Sequence, residues 1–463
     1  MRIRNEQTIC AISTPPGVGG LALVRLSGPD ALKIILQLAP SLLKKNILSH
    51  HVYLAKIKDS QQNVIDEVVI SYFENGKSFT GEQVIEISCH GSEYITAKVI
   101  ELLIDSGSVM AEKGEFTFRA FMNNRLDLVQ AESVLSLIES QNQAAARIAM
   151  RQLQGQVSKE FQKIEDDLTW CLAHIEASID FSTEGLEVVD PDILNFKLAE
   201  INEKLKGLAE SYKSGRIIKD GIKTVLLGQP NAGKSSLLNL FVEDDKAIVT
   251  PLAGTTRDII QVTTVHQGLR FTISDTAGLR DTSDLIEKIG VERSQKEAHK
   301  ADVVLYVLDS ADEDWGQAAA QIKTISSAKI VLLNKADLSS ENKKIQDRKK
   351  LQSLVPTLAD LDIIFTSHLD RQSRDRVLTA VKNKMGSTNS IDEAMVTSAR
   401  QYEMAKYAWE MLEVAVRDLE RKTGAEFVAM YLKESLISVQ KILGHVYDDQ
   451  ILDRVFKEFC LGK

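Results

Sequence analysis

Gly228-Gln229-Pro230-Asn231-Ala232-Gly233-Lys234-Ser235 matches the pattern GxxxxGK[ST], and its flanks decide the fold. The apolar run Thr224-Val225-Leu226-Leu227 precedes it and predicts a strand. Ser236-Leu237-Leu238 follows and predicts the opening of a helix. A strand that feeds a glycine loop into a helix N-terminus is a seat for phosphate, because backbone N–H groups close around the anion where the helix dipole favours it. Lys234 is the cation for the β/γ oxygens, and Ser235 is the hydroxyl for Mg²⁺.

Three further segments fit the same sheet. Phe271-Thr272-Ile273-Ser274 leads to Asp275-Thr276-Ala277-Gly278, a carboxylate that serves Mg²⁺ through water and a glycine amide that senses a γ-phosphate. Between the two lies Gly254-Thr255-Thr256-Arg257-Asp258, whose Thr256 supplies a second hydroxyl for the metal on a loop able to order around GTP. Lys329-Ile330-Val331-Leu332-Leu333 delivers Asn334-Lys335-Ala336-Asp337. The Asp337 carboxylate accepts from the N1–H and N2–H₂ edge of guanine, whereas adenine leaves it unpaired at a large cost. After Asp362-Ile363-Ile364-Phe365 comes Thr366-Ser367-His368-Leu369, where only Ser367 remains of a Ser-Ala-Lys turn and His368 reads as a surface loop residue. The expected GTP contacts are Asn231, Ala232, Gly233, Lys234, Ser235, Ser236, Thr250, Thr255, Thr256, Asp275, Thr276, Ala277, Gly278, Asn334, Lys335, Asp337 and Ser367. Ordered motifs at strand carboxyl ends predict a Ras-like α/β P-loop GTPase domain.

The remaining sequence sets this domain in a larger frame. At 463 residues the chain is too long for one core, and 44% hydrophobic with 26% charged residues is the balance of an ordinary globular protein. There is no apolar signal segment and no run long enough to span a membrane. Cys10, Cys89, Cys171 and Cys460 are scattered, which argues against a zinc site or disulfide framework and for a reducing, cytoplasmic setting. A net charge of −9 gives no support for autonomous RNA binding, and Arg348-Lys349-Lys350 reads as a solvated helix face.

Residues 1–122 read as mixed α/β, with strand-like runs at Ala22–Leu26, Glu67–Ser71 and Val84–Ile87. From Leu126 to about Phe181 apolar residues recur at helical spacing, with no proline between Pro40 and Pro191, and a second helical run covers Ile193 to Tyr212. Helical periodicity returns over residues 393–460. The expected domains are therefore 1–122, a first helical part 123–216, the GTPase domain 217–383, and a second helical part 384–463. Neither helical part makes a good core alone, so the GTPase domain is expected to be inserted into one all-α domain.

The N-terminal third carries Thr14-Pro15-Pro16-Gly17-Val18-Gly19-Gly20, Phe79-Thr80-Gly81-Glu82 and Gly114-Glu115-Phe116-Thr117. It also carries Arg119-Ala120-Phe121-Met122-Asn123-Asn124-Arg125-Leu126-Asp127-Leu128 with Gln130-Ala131-Glu132, and the chain ends Phe459-Cys460-Leu461-Gly462-Lys463. With the P-loop set, these resemble the bacterial and organellar tRNA-modification GTPase MnmE (TrmE) family nearly end to end. The resemblance implies an α+β, aminomethyltransferase-like N-terminal domain that forms a homodimer and binds formyl-tetrahydrofolate through Arg25, Glu82, Arg125 and Lys463. Those residue types suit a pterin with a carboxylated tail. The family commonly has lysine where Arg125 stands, and His90-Gly91-Ser92 departs from a frequent His-Gly-Gly.

The resemblance also implies an FAD-dependent partner (MnmG, or GidA) in a hetero-tetramer or larger assembly, with the partner supplying much of the tRNA surface. Together they add a carboxymethylaminomethyl or aminomethyl group to C5 of the wobble uridine of certain tRNAs. Cys460 is a participant in that chemistry or an idle thiol. In the GTPase, Leu279 stands where Ras-type domains carry a water-orienting Gln, and leucine cannot do that work. By resemblance the role passes to Glu287, and the missing cation is K⁺, held by Asn231, Thr250, Leu252 and Thr255. Two rival classes share parts of this pattern: a ribosome-assembly GTPase, which needs a basic RNA module, and a folate-dependent one-carbon transferase with a regulatory GTPase.

Overall fold

The computed structural model describes residues 7–180, 190–242, 248–251, 260–275, 298–312, 314–359, 362–386 and 394–463. Two compact units emerge, one gathering residues 1–139, 149–209 and 399–463, the other residues 140–148 and 210–398.

In the first unit, six strands among the described residues form one sheet: β1 (Ile9–Ile12), β2 (Gly19–Ser27), β3 (His51–Lys58), β4 (Val64–Phe73), β5 (Val84–Gly91) and β6 (Val109–Met110). Their order is β3-β4-β5-β2-β1-β6, antiparallel except for the parallel pair β1/β6. Alternation sets the faces: Val24 and Leu26 on β2, Val68 and Ile70 on β4, and Ile85 and Ile87 on β5 are buried together against Ile34, Ile35, Val99 and Leu103. The last four come from the helices Ala31–Leu38 and Glu93–Asp105, which cover this face of the sheet. Each such fully buried aliphatic side chain contributes roughly 1.5–3 kcal/mol.

The helical part of this unit includes Glu115–Met122, Leu128–Ile138, Gln156–Asp180, Ala399–Arg421, Ala425–Leu443 and Asp449–Lys457. Asp127 starts the second of these with a capping box, accepting from the Gln130 amide at 2.8 Å while the Gln130 side chain accepts from the Asp127 amide at 3.0 Å. The periodic stretch from Leu126 is not one helix. It breaks after Ile138, where Asn142 accepts from the Ala145 amide at 2.7 Å and nucleates the helix Gln143–Leu153. It breaks again at Gly155, whose φ of +81° an L-residue resists. Gly444 closes Ala425–Leu443 with φ +83°, and a Cβ there would meet Phe121 at 2.7 Å and Leu128 at 2.9 Å.

The second unit holds seven strands among the described residues: β7 (Ile222–Gly228), β8 (Ile248–Pro251), β9 (Ile260–His266), β10 (Leu269–Asp275), β11 (Val303–Asp309), β12 (Ala328–Asn334) and β13 (Ile363–Phe365). The order is β13-β12-β11-β7-β10-β9-β8, with β13 through β10 mutually parallel and β9 and β8 antiparallel. Strands buried on both faces explain the unbroken apolar runs. On β11, Val303, Leu305 and Val307 share a core with Leu237, Phe241, Val377 and Val381, from the helices Lys234–Val242 and Gln372–Met385. Tyr306 and Leu308 point the other way, against Trp315, Ile322 and Leu351 of the segments Gly316–Thr324 and Glu341–Leu354 and the residue before the first.

The helix Pro191–Asp220 runs eight residues beyond the Tyr212 expected from periodicity. Its last turns belong to the second unit because Ile217 and Ile218 join the core around Phe271, and Arg216 pairs with Asp302 at 2.5 Å. At Gly215 the backbone of Val396 passes so close that a Cβ would lie 2.2 Å from its carbonyl oxygen.

Candidate functional site

The carboxyl ends of β7, β10, β12 and β13 lie at the same edge of the sheet. The P-loop follows β7 at the centre, flanked by β10 and β11, which is where an open α/β sheet forms its crevice. Two glycines are obligatory there. Gly228 has φ +141° and lies so near β11 that a Cβ would be 2.2 Å from the Val307 carbonyl oxygen. Gly233 has φ +89° with the Asn334 amide nitrogen 2.2 Å from where its Cβ would stand. Asn231 also takes the left-handed region, at φ +62°, and is exposed at the loop's tip.

Lys234 is buried, and its ammonium donates to the carbonyls of Gly228 at 2.8 Å and Gln229 at 2.6 Å. Burial lowers the pKa of Lys234, an effect the Asp275 carboxylate opposes. Ser235 and Ser236 are exposed on the first turn of the helix that the loop opens, and Asp275 is buried at the end of β10. A hydroxyl and a carboxylate beside a phosphate loop are hard oxygen donors that fit Mg²⁺. Asn231 offers an amide oxygen of the kind a weakly hydrated monovalent cation takes.

The base-reading end is tied to the phosphate end. Asn334 is buried, donating from its amide to the Ala232 carbonyl at 2.9 Å and accepting from the Thr366 hydroxyl at 3.3 Å. One side chain thus fixes the P-loop, β12 and the loop after β13. Lys335 turns the chain at φ +58° and pairs with Asp309 of β11 at 2.5 Å. Asp337 follows, exposed, its carboxyl held below the usual carboxylate range chiefly by a hydrogen bond from Ser367, with His368 a lesser contributor. Ser367 is buried: its amide donates to Ser373 Oγ at 3.2 Å and its Oγ accepts from the Leu369 amide at 3.1 Å. The departure from Ser-Ala-Lys therefore leaves a braced loop, with exposed His368 beside Asp337. Thr255, Thr256, Leu252, Thr276, Ala277, Gly278 and Glu287 lie outside the described residues, and Thr250 is described only as backbone of β8.

A second cluster forms in the first unit. Arg25 donates from Nε and Nη2 to Glu86 Oε1, at 3.0 and 2.8 Å, and its guanidinium lies 5.8 Å from the Phe79 ring centroid and 5.7 Å from that of Phe116. Gly462 docks on the turn after β1, where Ser13 Oγ donates to its carbonyl at 3.2 Å. Lys463 thereby comes within electrostatic reach of Arg25 and Glu86, and its pKa is lowered by burial and then by Arg25. Glu82 pairs with buried Arg119, and Arg125 is exposed beside Gly81, its Cγ 3.1 Å from where a Gly81 Cβ would be. Cys460 is exposed, while Cys10, Cys89 and Cys171 are buried. Sequence reasoning missed Glu86, Ser27, Arg119, Asp309 and Thr366 as partners of the named residues. Arg119 stood in a quoted motif, but a lone charge says nothing about which carboxylate it will meet.

The doubly wound sheet and its glycine loop between β7 and the helix Lys234–Val242 define a P-loop nucleotide-binding protein. Residues 8–125 match the family described as GTP-binding protein TrmE N-terminus, and residues 128–460 match the MnmE helical domain. The chain is 46% identical to the tRNA modification GTPase MnmE of Bdellovibrio bacteriovorus, over 99% of this chain and 98% of that one. It is 36% identical to the protein of the same name from Alkaliphilus metalliredigens, over 99% of each chain. The chain belongs to the tRNA modification GTPase MnmE family and is an enzyme that hydrolyses GTP in tRNA modification. Among solved structures it resembles the G domain of the T. maritima FeoB iron transporter at 24% identity, covering 35% of this chain and 98% of that one. The TM-score is 0.28, a likeness that says nothing about this chain's function. No helix among the described residues is long and apolar enough to cross a membrane.

Proposed function

We propose that this chain is a K⁺-stimulated GTP hydrolase that works as a homodimer with an FAD-dependent partner of the MnmG kind. Together they add a carboxymethylaminomethyl or aminomethyl group to C5 of wobble uridine, with a formyl-tetrahydrofolate as the one-carbon carrier. The observation that carries the folate reading is the convergence of Arg25 and Lys463 on Glu86, residues from opposite ends of the chain. Two cations around one carboxylate leave an excess of positive charge suited to the glutamate tail of a folate. Glu82 offers acceptors for the ring.

In the GTPase, Lys234 and the loop amides bind phosphate, Ser235 and Asp275 serve Mg²⁺, and Asp337 fixes the base. Bound metal ions neutralise charge on the phosphates. Asn231 and the switch segment with Thr250, Leu252 and Thr255 hold the K⁺, and Glu287 orients water. Partition of the tRNA surface to the partner fits the net charge of −9.

The deciding experiment is mass spectrometry of wobble nucleosides in a strain lacking the gene, complemented with the wild-type chain. Loss of the C5 modification on deletion and its return on complementation are expected. Unmodified uridine in neither strain would overturn the reading and leave a GTPase of different purpose.

A further inference from the structure

Lys335 stands in the left-handed region at φ +58°, two residues before Asp337. A residue with a Cβ seldom occupies that region, and it persists where surrounding contacts over-determine the backbone. Here the contacts come from the end of β11, which none of the nucleotide motifs includes. Asp309 lies opposite Asn334 in the parallel register of β11 and β12. Its carboxylate is 13% exposed and uses both oxygens: Oδ2 accepts from Lys335 Nζ at 2.5 Å, and Oδ1 accepts from the Ala311 amide at 2.9 Å. The Asp309 carbonyl accepts from the indole N–H of fully buried Trp315 at 3.2 Å. Ser310 is fully buried as well. Its amide donates to the Asn334 carbonyl at 3.0 Å, its carbonyl accepts from Lys343 Nζ at 2.8 Å, and its hydroxyl donates to the Lys335 carbonyl at 3.2 Å. That last oxygen also accepts from the Leu338 amide at 3.0 Å, the bond that closes the short turn Ala336–Leu338 around Asp337.

We propose that Asp309 and Ser310 are positioning residues that set the Lys335 turn and so aim the Asp337 carboxylate at both donors of the guanine edge. The inference rests on the reading of Asp337 as the base contact and extends it to what directs that carboxylate. Asp337 is exposed, so its direction comes chiefly from the backbone that carries it. Asp309 holds Lys335 by the side chain and Ser310 holds it by the carbonyl, and a rotation of that residue rotates the turn bearing Asp337. Guanine presents N1–H and the 2-amino group side by side, whereas hypoxanthine keeps N1–H and lacks the amino group. A carboxylate turned off its line therefore loses more with guanine than with hypoxanthine.

The test is equilibrium titration of the full-length protein with GTP and with inosine triphosphate. Wild type should prefer GTP by about tenfold or more, the scale of one hydrogen bond to a charged group. Asp309→Asn removes the charge that holds Lys335 Nζ and keeps an acceptor for the Ala311 amide. Ser310→Ala removes only the hydroxyl, and the nearly isosteric Ser310→Cys takes its place where the alanine variant fails to fold. Each variant should shrink the preference about threefold or more, with GTP losing affinity and inosine triphosphate changing little. A general loss of folded protein lowers the binding of both nucleotides alike and leaves their ratio where it was. The wild-type ratio kept in Asp309→Asn or in the Ser310 variants, or equal loss of both nucleotides, would overturn the positioning role alone. A wild-type protein with no preference for GTP over inosine triphosphate would overturn the reading of Asp337 and this inference with it.

Discussion

At the scale of single residues, the reading of Asp337 and Ser367 as the choosers of base makes a direct prediction. Asp337→Asn should weaken GTP on the order of 10²-fold or more and admit xanthosine triphosphate, because the amide donates where the carboxylate accepted. Equilibrium titration with both nucleotides checks this, and unchanged GTP affinity with no gain for xanthosine triphosphate would remove Asp337 from base reading. The ionised form is the one that accepts from guanine. The Ser367 hydrogen bond holds the Asp337 carboxyl below the usual range, so binding persists as pH falls until that lowered value is crossed. Ser367→Ala should make the acid loss of GTP binding set in at higher pH. A titration of GTP affinity against pH that is superimposable on wild type would show that Ser367 does not serve this end. Glu287→Ala separates chemistry from binding: kcat should fall roughly 10²–10⁴-fold with nucleotide affinity near wild type. A normal rate would take Glu287 out of the mechanism. The motif residues were legible because each must be one chemical type at one spacing. Glu86, Ser27 and Arg119 were not, since they meet Arg25 and Glu82 across 37 to 61 positions of sequence, and no local pattern encodes that.

Among elements, the turns are the critical parts. A Cβ at Gly233 collides with Asn334, whose amide joins the P-loop to β12. Gly233→Ala should therefore lower GTP affinity at least tenfold, with most of the fold intact, as nucleotide titration beside circular dichroism would report. Gly444→Ala acts on the other unit: positive φ and a contact with Phe121 should cost about 1–3 kcal/mol and lower its unfolding midpoint by a few degrees. No change in that midpoint would mean the aromatic contact yields freely. The strands β2, β4 and β5 and, in the nucleotide sheet, β7, β10, β12 and β13 were readable from alternation or from unbroken apolar runs, while β8, β9 and β11 were not picked out. β3 was not picked out, because its outward face carries Val52 and Leu54, both well exposed, which blurs the alternation. The breaks at Asn142 and Gly155 escaped notice because helical periodicity resumes on the far side of each.

For the molecule as a whole, the cation is the sharpest test. Hydrolysis should run faster in KCl than in NaCl at equal ionic strength, with rubidium or ammonium substituting in part, because sodium is smaller and more strongly hydrated. Asn231→Ala should abolish the stimulation while Lys234 and the loop amides still bind nucleotide. Initial rates in the two salts decide it, and equal rates would return the question to an arginine. Motif order marks residues 217–383 as a GTPase domain, and the second compact unit gathers 140–148 and 210–398. The gathering of residues 1–139 with the helical segments into one compact unit was not legible in the sequence, because it depends on packing such as Phe118 and Phe121 against Phe456 and Phe459.

The described nucleotide-site residues cluster at one edge of a sheet whose central strands β11 and β12 are buried on both faces, and this bears on how inherited variation in the chain is to be interpreted. Substitutions in the body of β7 or β11, at Leu226 or Val307, act on how much folded protein a cell holds, so lower growth temperature or higher expression should restore the phenotype. Substitutions in the loop that follows β7, from Gln229 to Ser235, should instead act on turnover per molecule, where no increase in dose compensates. A position on β7 and one a few residues on, in the loop, can thus give the same loss of modified tRNA in a screen and differ entirely in whether they are suppressible.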